Sequence, residues 1–133
     1  MTATEQALEI ARVAARAAVA KLASDPVAFD VSERLAITDI FLIVAATNER
    51  QVGAVVDAIE EALLKTGTKA VRREGDRENR WVLLDFLDVV VHVQHTEERA
   101  LYSLERLWKD CPRLDLGELE TVPESSEDAV AGE

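Results

Sequence analysis

The sequence predicts a single α/β domain in which a mixed sheet of about five strands is flanked by helices. The first reason is length, since 133 residues suit one domain that buries roughly two-thirds of its unfolded surface. The second is the order of apolar patterns along the chain, which reads helix, two strands, helix, three strands, helix. That order is typical of a sheet with helices packed against it.

The chain begins with a predicted helix and two predicted strands. Thr4 can cap a helix that runs to about Ala23, and Asp25-Pro26 ends it. Residues 27–31 read as a short strand. Residues 39–46 read as a second strand whose apolar run indicates burial on both faces, so we expect it at the centre of the sheet.

A second helix and a third strand follow. Asn48, with Gln51 three residues later, matches a capping box, and Gly67 is placed to end the helix. Residues 69–73 form a third strand candidate. Residues 74–79 are charged and contain a glycine, which is typical of a loop.

Residues 80–95 read as a β-hairpin with two unlike faces. One face is wholly aliphatic and is assigned to the core: Val82, Leu84, Val89, Val91 and Val93. The other face is mixed, and its composition suits either protein docking or a carboxylate-bearing active site. With Phe86 and Leu87 at the tip, strand alternation pairs Trp81 with His92, Leu83 with Val90, and Asp85 with Asp88.

The last predicted helix is capped by Thr96 and ends before Pro112, with Trp108 on its apolar stripe and therefore in the core. Beyond it, seven acidic residues occur without a basic one. Such a segment is too polar to offset the entropy of ordering. We therefore predict a domain over residues 1–113 and an acidic disordered tail over residues 114–133.

Charge and composition exclude several classes of function. The net charge is −11, and the seven acids of the tail leave −4 for the rest of the chain, so phosphate backbones repel it and direct sequence-specific nucleic-acid binding is not expected. Cys111 is the only cysteine, which is compatible with a reducing compartment. No apolar run reaches the length of a membrane span and no signal pattern is seen, so we expect a cytoplasmic protein.

Carboxylates near the predicted sheet leave an enzymatic alternative open. Asp39, Asp85 and Asp88 could hold a divalent metal, as in a metal-dependent nucleotidyltransferase. Such an enzyme also needs a backbone cradle for phosphates, and residues 45–48, Ala-Ala-Thr-Asn, do not offer the usual Gly-Ser turn. His92 and a second histidine three residues later fall on opposite faces. We therefore expect no catalytic residues, no metal site and no cofactor.

The chain resembles the ribosomal silencing factor family, also called Iojap-related, over residues 4 to 113. The order and spacing of several segments carry the resemblance: Asp30-Val31-Ser32, Asp39-Ile40-Phe41-Leu42-Ile43, Arg50-Gln51-Val52, Glu74-Gly75, Arg80-Trp81-Val82-Leu83-Leu84-Asp85, Asp88-Val89-Val90-Val91-His92-Val93, Leu104-Glu105-Arg106-Leu107-Trp108, Asp110 and Pro112-Arg113. The chain departs from the usual family pattern at three positions. The family usually has Tyr where this chain has Ile40, Gly where it has Leu87, and an aromatic residue where it has Gln94.

The resemblance implies a function without chemistry. Family members bind the large ribosomal subunit through ribosomal protein L-fourteen, block joining of the small subunit and lower translation in starvation. It also implies a nucleotidyltransferase-like fold without an active site, and a homodimer. A large-subunit maturation factor using the same surface is the further alternative. The expected partner-binding residues are those of the mixed hairpin face: Trp81, Leu83, Asp85, Asp88, Val90 and His92.

Overall fold

A five-stranded mixed sheet organises the protein, whose computed structural model describes residues 2–75 and 78–119. The predicted α/β class is confirmed. The strand order is β1-β2-β5-β4-β3; β2 and β5 are parallel and the other neighbours are antiparallel. The elements are α1 Glu5–Ala20, β1 Ser24–Asp30, β2 Ile40–Ala46, α2 Glu49–Lys65, β3 Arg72–Gly75, β4 Trp81–Asp85, β5 Val89–His95, α3 Thr96–Tyr102 and α4 Leu104–Leu107.

The two long helices cover one side of the sheet, here called the inner face. Their predicted N-caps are confirmed, since the side chains of Thr4 and Asn48 accept hydrogen bonds from the third residue beyond each. Small side chains on α1 let it approach α2 and the sheet closely. The buried cluster between the helices and the sheet includes Ala11, Ala14, Ala15, Leu42, Val56, Ile59, Leu84 and Val91.

The centre of the sheet differs from the prediction. The strand predicted there, β2, is paired on both sides, but the middle strand of the five is β5. The crossover through α2 leads to β3 at the far edge of the sheet, and β4 and then β5 fill the positions between β3 and β2, with β5 parallel to β2. The apolar run of β2 therefore indicates an interior strand and not the central position.

The hairpin register also differs from the prediction. Trp81 pairs with Gln94, Leu83 with His92, and Asp85 with Val90, a shift of two residues. The reason lies in the turn. Phe86 is buried against the core and its N–H donates to the Val89 carbonyl at 2.9 Å, while Leu87 adopts φ +73°. Because side chains alternate with a period of two, the shift leaves each one on its predicted face.

The predicted last helix is broken in two. Ser103 adopts φ +46° between α3 and α4. The cap also differs, because His95 precedes α3 and its Nδ1 accepts the Glu97 N–H, while Thr96 is the first helical residue. Beyond the break, Leu104 at the start of α4 and Trp108 at its C-cap pack against the sheet.

The predicted start of the tail is too early for residues 114–119. The Leu114 N–H donates to the Ala28 carbonyl at 2.9 Å, and Leu116 is only 6% exposed within the inner core. The Arg12 guanidinium donates to the Asp115 carbonyl at 3.1 Å. Leu114, Leu116 and Leu119 thus pack with the core of the domain, because the burial of apolar side chains outweighs the charge of the segment. The part of the predicted tail from residue 120 onward lies outside the described residues.

Candidate protein-docking face

The face of the sheet opposite α1 and α2 is here called the outer face, and it gathers five of the six predicted partner-binding residues. Trp81, Leu83 and Asp85 alternate along β4 and are half-buried. Val90 and His92 alternate along β5 and are buried.

Asp88 is the exception among these six. It lies in the turn, half-buried, where its carbonyl accepts the N–H groups of Asp39 and Ile40.

Half of the outer face is covered by the C-terminal part of the chain. The β1 and β2 side packs against α4 and the segment that follows it, with Trp108 partly buried there as predicted. The members of this outer cluster are Val27, Phe29, Val31, Ile43 and Cys111, with Leu35, Phe41, Leu104 and Trp108 against them. The β4 side has no such cover among the described residues, which leaves Trp81 and Leu83 partly accessible.

A row of five rings crosses the outer face from the covered side to the open side. The centroid separations are 5.0 Å from Trp108 to Phe41, 5.1 Å from Phe41 to His92, 6.0 Å from His92 to Trp81 and 5.1 Å from Trp81 to Tyr102. Tyr102 ends the row and is 53% exposed. The sequence prediction left it out of the face; its signal was its place at the end of a helix that directly follows β5.

His92 supports Trp81 from below and carries no charge. The indole Nε1–H of Trp81 donates to Nδ1 of His92 at 3.2 Å, so the imidazole acts as an acceptor. Burial lowers the pKa of His92 to about 4, because charge is costly away from water. With its one polar atom satisfied internally, Trp81 offers a partner only its apolar ring.

The edge of the open face carries charges of both signs. The Asp85 carboxylate accepts the Leu87 N–H at 2.8 Å and lies 3.5 Å from the guanidinium of Arg72. Arg72 also pairs with Glu74 at 3.1 Å. Asp85 is therefore partly neutralised within the chain, and the rim of this face is polar without being strongly acidic.

Two of the three carboxylates of the enzymatic alternative have structural partners. Asp39 accepts the Thr4 N–H at 3.0 Å where α1 begins, and Asp85 braces the hairpin turn. Within residues 2–75 and 78–119, no group of three or more His, Cys, Asp or Glu side chains is arranged to hold a metal ion. The turn before α2 is used by Asn48 for capping and by Thr47 for two bonds to Gln51.

Comparison with known proteins agrees with the resemblance. The family model described as "Ribosomal silencing factor during starvation" matches residues 4–132. The chain belongs to this family. None of the helices in the described residues is long and apolar enough to cross a membrane.

Similar proteins and a similar structure support the assignment. The Ribosomal silencing factor RsfS of Bacillus subtilis is 41% identical over 107 residues, covering 80% of this chain and 91% of that protein. That of Halalkalibacterium halodurans is 40% identical over 108 residues, covering 81% and 92%. A crystal structure of a Chromobacterium violaceum protein matches with a TM-score of 0.73 at 31% identity, covering 76% of this chain and 84% of that one.

Proposed function

We propose that the protein represses translation by binding the large ribosomal subunit through ribosomal protein L-fourteen and sterically blocking the small subunit. Membership of the silencing factor family supports this proposal. The structural observation that carries it is the half-covered outer face, where Trp81 and Leu83 remain accessible beside Tyr102.

This face has the composition of a protein interface. Aromatic anchors surrounded by polar residues are typical of the centre and rim of such surfaces. Trp81 is the central anchor, since His92 and the sheet fix its ring from behind. Asp85 and Asp88 lie at the hairpin turn, at the end of β4 away from Trp81, and suit a basic partner surface.

Steric exclusion needs no reaction, cofactor or metal ion. Repression then depends on occupancy, so the fraction of blocked large subunits follows the protein's concentration relative to its Kd. We also propose that the protein is cytoplasmic and that it forms a homodimer when it is not bound to a large subunit. Size-exclusion chromatography with light scattering tests the homodimer separately.

The test is Trp81→Ala in co-sedimentation with purified large subunits. We expect a loss of at least about 2 kcal/mol, or roughly 30-fold in Kd, as is usual for a central interface aromatic residue. The melting temperature should fall because the bond to Nδ1 of His92 is lost, but the domain should stay folded because the inner core is unchanged. Leu64→Ala, at an apolar side chain that is 60% exposed on α2, is the matched control and should bind normally.

Two outcomes would contradict the proposal. Normal binding by folded Trp81→Ala would remove the outer face from the interface. Wild-type protein that binds large subunits without inhibiting their joining to small subunits would instead favour the maturation-factor alternative. A subunit-joining assay by light scattering measures that second property.

A further inference from the structure

The segment of residues 96–107, here called the C-terminal arm, comprises α3, Ser103 and α4. Its first helix has little apolar contact with the sheet. Arg99 is the only buried residue of α3, whereas Leu101 is 72% exposed. Apart from the ring of Tyr102, apolar packing of the arm begins with Leu104, beyond the left-handed Ser103.

Arg99 joins α3 to α4 and to the sheet through hydrogen bonds, where α3 has few apolar contacts. Its Nε and Nη2 donate to one carboxylate oxygen of Glu105 at 3.0 and 2.8 Å, which joins α3 to α4 across the break. Its Nη1 donates to the Ser24 carbonyl at 3.3 Å, which ties both helices to β1. The Arg99 side chain is only 10% exposed, so water screens this ion pair weakly.

A second arginine fixes only the first turn of α3: Arg80, the residue before β4, donates to the carboxylates of Glu97 at 3.0 Å and Glu98 at 3.2 Å. Beyond that turn, the buried polar atoms beneath α3 add no hydrogen bond to the arm. Gln94 is fully buried on the outer face, and neither its amide nitrogen nor its amide oxygen has a hydrogen-bond partner among the described residues. Nε2 of His92 is likewise without one. These polar atoms offer α3 neither apolar contact nor a hydrogen bond.

Tyr102 stands three residues beyond Arg99, at the end of α3, and its ring lies 5.1 Å from that of Trp81. Because Tyr102 is 53% exposed, its own burial does little to hold it there. Its place on the outer face therefore depends on where α3 ends.

We propose that Arg99 is a positioning residue for the docking face: by joining Glu105 and the Ser24 carbonyl, it fixes the end of α3 and holds Tyr102 against Trp81. The inference rests on the proposed function, because the position of Tyr102 matters only if the partner binds the apolar centre of the outer face. Arg99 itself does not touch the partner in this scheme.

A double-mutant cycle on large-subunit binding tests the proposal. Arg99→Met and Tyr102→Ala should each weaken binding roughly tenfold, and the double variant should bind no more weakly than Tyr102→Ala alone. Arg99→Lys keeps the charge but cannot make the same three bonds, so its loss should be intermediate. Arg73→Met breaks an exposed pair with Glu60 on the other side of the sheet and should bind normally.

Arg99→Met leaves the carboxylate of Glu105 without its partner. The double variant Arg99→Met with Glu105→Met removes that charge as well. It should show the same loss of binding. Unchanged binding by Arg99→Met, or additive losses in the cycle, would overturn the proposal.

A readout without ribosomes separates this inference from the proposed function. In a Trp108→Phe background Trp81 is the only tryptophan, and Arg99→Met should shift its emission to the red to the same extent as Tyr102→Ala. If the emission shifts but the wild-type protein does not bind large subunits, the positioning role stands and the docking function is refuted. Binding without any shift would refute the positioning role.

Discussion

At the residue scale, the outer face depends on a histidine that acts as a neutral acceptor. His92 holds the indole N–H of Trp81 at 3.2 Å and stays uncharged because it is buried. The same imidazole on a solvated strand would titrate near pH 6.5 and could serve as a charged contact. Burial converts it into a support for its neighbour.

His92 should make the protein less stable in mild acid. Its pKa falls from 6.5 to about 4 on folding because of burial, so between these values the unfolded chain binds a proton that the folded chain does not. This contribution to stability is complete above pH 6.5 and is lost as the pH falls towards 4. At pH 5 the loss is about 2 kcal/mol.

Urea denaturation at pH 7 and pH 5 measures that loss. His92→Phe should lose less stability than the wild type over this interval, since it has no proton to gain. Carboxylates whose pKa is lowered by hydrogen bonds, such as Asp30, contribute equally to both proteins and cancel in the comparison. Identical losses in the two proteins would show that His92 is not the group that titrates.

At the element scale, the C-terminal segment after α4 is part of the domain. Leu114, Leu116 and Leu119 pack against the inner core, and two hydrogen-bonded contacts tie the segment to β1 and α1. An irregular segment of polar composition can thus close a core when a few apolar residues recur along it.

A chain ending at residue 113 should therefore be less stable than one ending at residue 119. The expected difference is about 2 to 3 kcal/mol, because a buried leucine and its neighbours are lost. Within the full chain, Leu116→Ala should cost about 2 kcal/mol, whereas Leu107→Ala, at a residue 67% exposed, should cost little. Denaturant midpoints compare the four proteins. Equal stability of the two truncated chains would mean that the segment adds no stability.

At the scale of the whole molecule, the net charge opposes the proposed binding to the large subunit. The net charge of −11 opposes approach to ribosomal RNA, and residues 120–133 supply five of the acids and no basic residue. The proposed docking through the outer face would then act against electrostatic repulsion.

Deleting residues 120–133 should tighten large-subunit binding modestly at low salt and change it little near physiological salt, where the screening length is about 8 Å. Affinity measured at two salt concentrations for full-length and shortened protein gives the comparison. A large loss of affinity at both concentrations would mean that this segment contributes direct contacts to the partner.

The sequence alone determined the fold class, the N-caps of the two long helices and the two faces of the hairpin. Caps are local, since Thr4 and Asn48 each bond within their own first turn. The faces follow from alternation, a property of the strand itself, which is why a register error of two residues left Trp81 and His92 on the predicted side. The family resemblance likewise depends on spacing along the chain.

The tertiary structure alone decided the register, the break in the last helix and the cover of the outer face. Register follows from Phe86 turning into the core, and the break at Ser103 accompanies an ion pair between Arg99 and Glu105. The place of Tyr102 beside Trp81 and the burial of Leu116 also join residues far apart in sequence. Each is a contact between elements, whose energy depends on which surfaces meet and not on any local pattern.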